Sequence, residues 1–244
     1  RGAVQEVQAL VKRKPVQAII AAQYTQSWGL YGILNWLPTY IEQEFGVTVS
    51  DLDQFTVLPY LLQGGVGVLA GVCADRAIQA GLPVRRCRQV RAWLKVFAGL
   101  AFSHYCARSG QALTCANVWQ LMQGTGMLVP ALALCAAATL AQSAEDARGY
   151  LTAGLAASSL TLAGVSVNHL DVAPNKAGLV FGIGNTAGTL GGFVSVALCG
   201  SLQEATGSWP LVLGVIALHY IVGAALWCAW VGGDDMDGEG GGGS

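Results

Sequence analysis

Apolar positions in this chain gather into long uncharged runs, and nearly all of its charge sits in the short segments between them. Six runs, roughly 16–41, 54–74, 117–141, 149–168, 177–203 and 205–231, contain no Asp, Glu, Lys or Arg. A helix rises about 1.5 Å per residue, so about 20 such residues cross the ~30 Å of a hydrocarbon core. Backbone groups in lipid must be satisfied within the segment, which favours helices. Barrel strands would be shorter and would alternate in polarity. Pro38, Pro59 and Pro130 punctuate the runs, as membrane helices tolerate when neighbours re-satisfy the backbone. The pattern predicts an all-α membrane protein, a bundle of six transmembrane helices in a lipid bilayer.

The connecting segments give the orientation. Lys12, Arg13 and Lys14 precede the first run; Arg76, Arg85, Arg86, Arg88 and Arg91 follow the second; Lys176 follows the fourth. The alternate connections hold Glu42, Glu44, Asp51 and Asp53, then Glu145 and Asp146, then Glu204, with Arg148 their single basic residue. Positive charge marks the cytosolic side of a membrane. An even number of spans with both termini on that side, cytosolic or stromal, accounts for the pattern. A seventh apolar stretch, Ala92–Ala107, carries Lys95 and His104 and ends at Arg108. Were it to span, every later connection would change sides, so residues 87–117 are expected to be a non-spanning insertion.

The remaining divisions follow. Residues 1–15 read as the end of a cytosolic loop, 16–86 as two spans and a loop, 118–231 as four spans, and 232–244 as a disordered acidic, Gly-rich tail. The opening "RGAVQEVQALVKRKPVQ" has no cleavable signal pattern and reads as the interior of a longer protein. Composition agrees with a membrane chain: 53% of residues are apolar and 11% charged. A net charge of −1 gives no argument for nucleic acid as a partner. Seven cysteines without CxxC or Cys/His spacing suggest neither disulfides nor a metal site, and no cofactor is expected.

Particular motifs narrow the class. "GVCADR" (Gly71–Arg76) resembles the Gly-x-x-x-Asp-Arg loop signature of the major facilitator superfamily. "VNHLDVAPNKAGLVFGIGNTAGTLGG" (Val167–Gly192) is more specific. It resembles the anion–cation symporter branch, which includes vesicular glutamate carriers, sialin and plastid phosphate and ascorbate carriers. Ser27–Val47 and Phe55–Asp75 are similar to the seventh and eighth spans of that family, and Leu218–Trp227 to the twelfth. The resemblance implies the C-terminal half of a twelve-helix carrier, paired with an N-terminal six-helix half and lodged in a chloroplast envelope or thylakoid membrane. Its implied cargo is phosphate or another small anion, moved by alternating access with Na⁺ or H⁺ coupling. Residues 87–117 have no counterpart in the family pattern, as a lineage-specific loop or a retained intron would not.

Candidate functional residues fall into two groups. Gln23, Gln26, Tyr31 and Asn35 in the first run, with Asn185 in the fifth, either line a substrate cavity or bond neighbouring helices. Polar groups in a span face protein or water in either case. Asp75, Arg76, Asn168, His169 and Asp171 lie at the cytosolic ends, as a gate or as capped corners between helices. The family's glutamate-type members place an arginine where this chain has Gln26, which argues against a dicarboxylate amino acid. Gly178/Gly182, Gly184/Gly188 and Gly188/Gly192 have the small-xxx-small spacing of close helix contacts. His219 reads as a packing residue. An anion carrier needs positive charge or helix N-termini facing its cargo, and a cation-coupled one needs a carboxylate. The six runs supply neither, so the resemblance implies that both come from the other half. The 244 residues alone are expected not to transport. The alternatives are a truncated membrane subunit that only associates with other helices and, last, an intramembrane enzyme.

Overall fold

The computed structural model describes residues 2–48, 57, 61–66, 68, 115–161 and 173–230. Its elements there are all helical: α1 (Ala3–Val11), α2 (Lys14–Phe45), α3 (Cys115–Thr139), α4 (Ala144–Ser158), α5 (Ala177–Thr206) and α6 (Trp209–Trp230). A 3-10 turn at Pro174–Lys176 leads into α5, and residues 61–66 are helical as well.

Local chemistry sets where these helices start and stop. Pro15 occupies the first turn of α2, where its missing N–H costs nothing. Gly46, at φ 67°, ends α2 and returns its N–H to Glu42 O at 2.9 Å. Gly207, at φ 63°, ends α5 in the same way on Gln203 O at 2.8 Å. Only glycine adopts that left-handed cap without a Cβ penalty. Ser143 caps α4, its Oγ accepting from Asp146 N at 3.1 Å, and Glu145 and Asp146 sit favourably in the first turn. Helix boundaries therefore differ from those of the uncharged runs. α4 begins at Ala144 rather than 149, and α2 continues past 41 through Glu42 and Glu44 to its glycine cap.

α2 is the central helix, flanked along its length by α5 and α6, while α3 packs between α6 and α4. One core joins Leu37, Tyr40 and Ile41 to Leu134, Leu151, Trp209, Ile216 and Tyr220. A second, towards the basic end, joins Leu10, Val16, Ile19 and Ala22 to Val180 and Trp227. The outward face is also apolar: Phe193 is 76% exposed and Leu132 70%, with Leu190, Leu198 and Leu218 more than half exposed. A helix of a soluble bundle turns a polar face outward. α5 and α6 are each long and apolar enough to cross a membrane. Of the expected insertion, only Cys115–Asn117 are described, and they belong to α3. The Ala92–Ala107 stretch and the tail from 232 lie outside the described residues.

Candidate functional site

One group of described polar side chains inside the bundle meets at a seam between α2, α4 and the 61–66 segment. Gln26 lies within one turn of the middle of the uncharged run and is half-buried. Its Nε2 donates to Thr161 Oγ1, just beyond the end of α4. Thr161 in turn donates to Ser158 O at 2.6 Å, Ser158 Oγ donates to Leu155 O at 2.7 Å, and Ser159 Oγ donates to Gln63 O at 2.8 Å. The Gln63 carboxamide nitrogen stands 3.5 Å from Ser158 Oγ. Ser158, Ser159 and Thr161 are each at most 2% exposed. Gly126 of α3 makes room for this arrangement, because a Cβ there would lie 2.5 Å from Thr161 Cγ2. The seam is a neutral array of amide and hydroxyl groups. Its hydroxyls donate to backbone carbonyls, and it has no charge with which to neutralise an anion.

A second set of contacts holds α2 to α5. The glycine face of α5 receives α2 directly: a Cβ at Gly191 would lie 2.5 Å from the Tyr24 carbonyl oxygen, and one at Gly188 would lie 2.8 Å from Ser27 Oγ. Gln23 packs on Gly184, the Tyr31 ring on Gly192 and the Trp36 ring on Gly200. Two bonds lock the crossing, Ser195 Oγ to Trp28 O at 2.7 Å and Trp36 Nε1 to Val196 O at 3.0 Å. On the other side of α2, the Tyr220 ring fills the space above Gly29. The His219 ring stacks on Trp28, with centroids 3.9 Å apart and planes 5° from parallel. His219 Nδ1 is 2.8 Å from Val215 O. A carbonyl can only accept, so Nδ1 carries the proton in this arrangement.

The structure thus separates the sequence candidates. Gln26 joins the seam, and Gln23 packs against α5. Tyr31 lies over Gly192 with almost half its surface exposed. Asn35 is exposed and donates to Tyr31 O at 2.9 Å. Asn185 is exposed on α5, where its carbonyl accepts from Thr189 Oγ1 at 3.0 Å. Asp75, Arg76, Asn168, His169 and Asp171 lie outside the described residues. Ser158, Ser159, Thr161 and Gln63 were not among the candidates. Their signal in sequence is a run of hydroxyls, Ser158-Ser159-x-Thr161, in the middle of an otherwise apolar span. Gln123 was also passed over. It is fully buried in α3, with Nε2 3.6 Å from Met127 Sδ and with Oε1 lacking a hydrogen-bond partner among the described residues. At the acidic end, a cleft of about 180 Å³ opens between Tyr40, Glu44, Phe45, Ala137, Gln142 and Pro210. Among the described residues, no three His, Cys, Asp or Glu side chains group as metal ligands do.

No protein-family model matches the chain. Individual proteins do. "Probable anion transporter 3, chloroplastic" of Arabidopsis thaliana is 29% identical over 225 residues, covering 92% of this chain and 38% of that protein. "Probable anion transporter 7" of Oryza sativa subsp. japonica is 34% identical over 190 residues, 78% of this chain and 36% of that protein. "Ascorbate transporter, chloroplastic" of Arabidopsis thaliana is 26% identical over 229 residues, 93% of this chain and 36% of that protein. The chain spans less than two-fifths of the length of each of these curated relatives.

Proposed function

We propose that this chain, a member of the anion-transporter family to which these plant relatives belong, acts as one six-helix half of a secondary carrier in a plastid membrane. It moves phosphate or another small anion and is not an enzyme. The two halves rock about a site near the midplane, as in carriers of the major facilitator type, with Na⁺ or H⁺ as the coupling ion. The observation that carries this reading is the Gln26–Thr161 contact, a partly buried polar junction between two helices near mid-span. Polar groups at that depth are costly unless they serve a neighbour, a cavity or a cargo.

The division of labour follows from charge. This half supplies hydrogen bonds that fix the orientation of the cargo. Positive charge and a coupling carboxylate come from the partner half, because none of the six uncharged runs holds either. Uptake of labelled phosphate and of labelled ascorbate into proteoliposomes tests the proposal, with protein translated from the complete transcript compared with these 244 residues alone. The proposal requires saturable, gradient-driven accumulation of at least one anion by the first preparation. Flux no greater than that of empty liposomes for inorganic phosphate, ascorbate and a dicarboxylate series would overturn it. The 244 residues alone should match empty liposomes; uptake by them would refute the division of labour between halves.

A further inference from the structure

α1 is nine residues long, below the ~12–15 residues at which an isolated helix becomes even marginally stable in water. Gly2 at its N-cap offers no side-chain bond. Its order must therefore come from docking. Two contacts supply it. Leu10, 5% exposed, enters the basic-end core beside Val16, Ile19, Val180 and Trp227. These residues belong to three different helices, α2, α5 and α6. At the other end of α1, the Glu6 carboxylate pairs with Lys176 Nζ. Lys176 closes the 3-10 turn from which α5 departs. That turn also places Ala173 in the same core.

We infer that α1 is a strap whose folding is coupled to closure of the basic end of the bundle. With Glu6 on Lys176 and Leu10 inserted, the starts of α2 and α5 and the end of α6 are tied together. When the strap unfolds, the turn before α5 is released from the other two. The ion pair trims this equilibrium rather than dominating it, since both partners are over a third exposed, at 46% and 37%, and water screens such pairs. Leu10 supplies the larger part through apolar burial. The inference concerns the basic-end structure alone and stands whether or not the chain carries anions.

Hydrogen–deuterium exchange over residues 3–11, in the full 244-residue chain reconstituted in liposomes, reads the docked fraction directly. Exchange from the docked state goes through local opening. With rates normalised to each sequence's intrinsic value, Lys176→Gln is expected to raise exchange by about 1.4- to fivefold, the range of a single exposed ion pair. Glu6→Gln should do the same, and the exchanged pair Glu6→Lys with Lys176→Glu should restore most of the protection. Lys176→Gln is the decisive variant, because it leaves the sequence of α1 untouched. If Glu6 served only the dipole of its own helix, protection would not change on that substitution. Unchanged protection in Lys176→Gln, or no recovery in the exchanged pair, would overturn the inference.

Discussion

Gly191→Ala is the sharpest probe of the helix crossing that supports the seam. The added methyl would sit 2.5 Å from the Tyr24 carbonyl oxygen, roughly 1 Å short of ordinary contact. That oxygen belongs to the backbone of α2 and has no rotamer to escape through. Overpacking of this kind costs about 1–3 kcal/mol. Moving the helices apart by ~1 Å also stretches the Ser195–Trp28 and Trp36–Val196 bonds, now 2.7 and 3.0 Å, beyond hydrogen-bonding range. Interhelical bonds in membranes average ~0.6 kcal/mol each, so the total loss is roughly 2–4 kcal/mol. For a chain of this size, each kcal/mol moves Tm by about 2–4 °C, which gives an expected fall of roughly 4–16 °C. The control is Gly182→Ala on the same helix, where a Cβ meets nothing within 4 Å among the described residues and the better helix former adds up to ~1 kcal/mol. Tryptophan-fluorescence melts of both variants in one detergent, at one heating rate, give the comparison. The matched rate matters, because membrane proteins often melt irreversibly and Tm then depends on scan speed. Equal Tm values for Gly191→Ala and Gly182→Ala would refute the packing argument.

Other substitutions test separate steps. Gln123→Leu removes a buried carboxamide oxygen that has no partner among the described residues, a group whose burial costs about 1–3 kcal/mol. Its melt should therefore rise by several degrees, and a fall would mean that a bound water or solute satisfies the glutamine. Gly207→Ala forces a Cβ into the left-handed cap at φ 63° at a cost of about 1–2 kcal/mol. A lower Tm with unchanged helical circular dichroism is the expected result, and an unchanged Tm would count against a strained cap. Gln26→Leu and Thr161→Val each remove one side of the seam. In the complete carrier they should lower anion uptake at least tenfold at an unchanged amount of inserted protein. Uptake at the unsubstituted level in both would show that the seam only packs helices.

What could be read from sequence divides along a physical line. Helix existence in the described runs was legible because it depends on a local term, an uncharged run long enough for lipid. Choice of neighbour was not. The pairs Gly178/Gly182 and Gly184/Gly188 are equivalent as text, yet Gly184 and Gly188 lie under Gln23 and Ser27 while, among the described residues, nothing comes within 4 Å of a Cβ at Gly178 or Gly182. A uniformly apolar helix carries no polar face to show which side turns inward, so the spacing cannot say which stripe meets α2. The hydroxyls of the seam were hidden for a related reason. Serine and threonine in a span routinely bond their own helix's carbonyls, as Ser158 and Thr161 do here, and so look self-sufficient. Thr161 becomes conspicuous only when α2 brings Gln26 against it. Gln26 Nε2 finds its acceptor across helices, on Thr161 Oγ1. At this seam the more informative residue is therefore the carboxamide of Gln26, and the hydroxyls opposite it are found by asking which helix satisfies it.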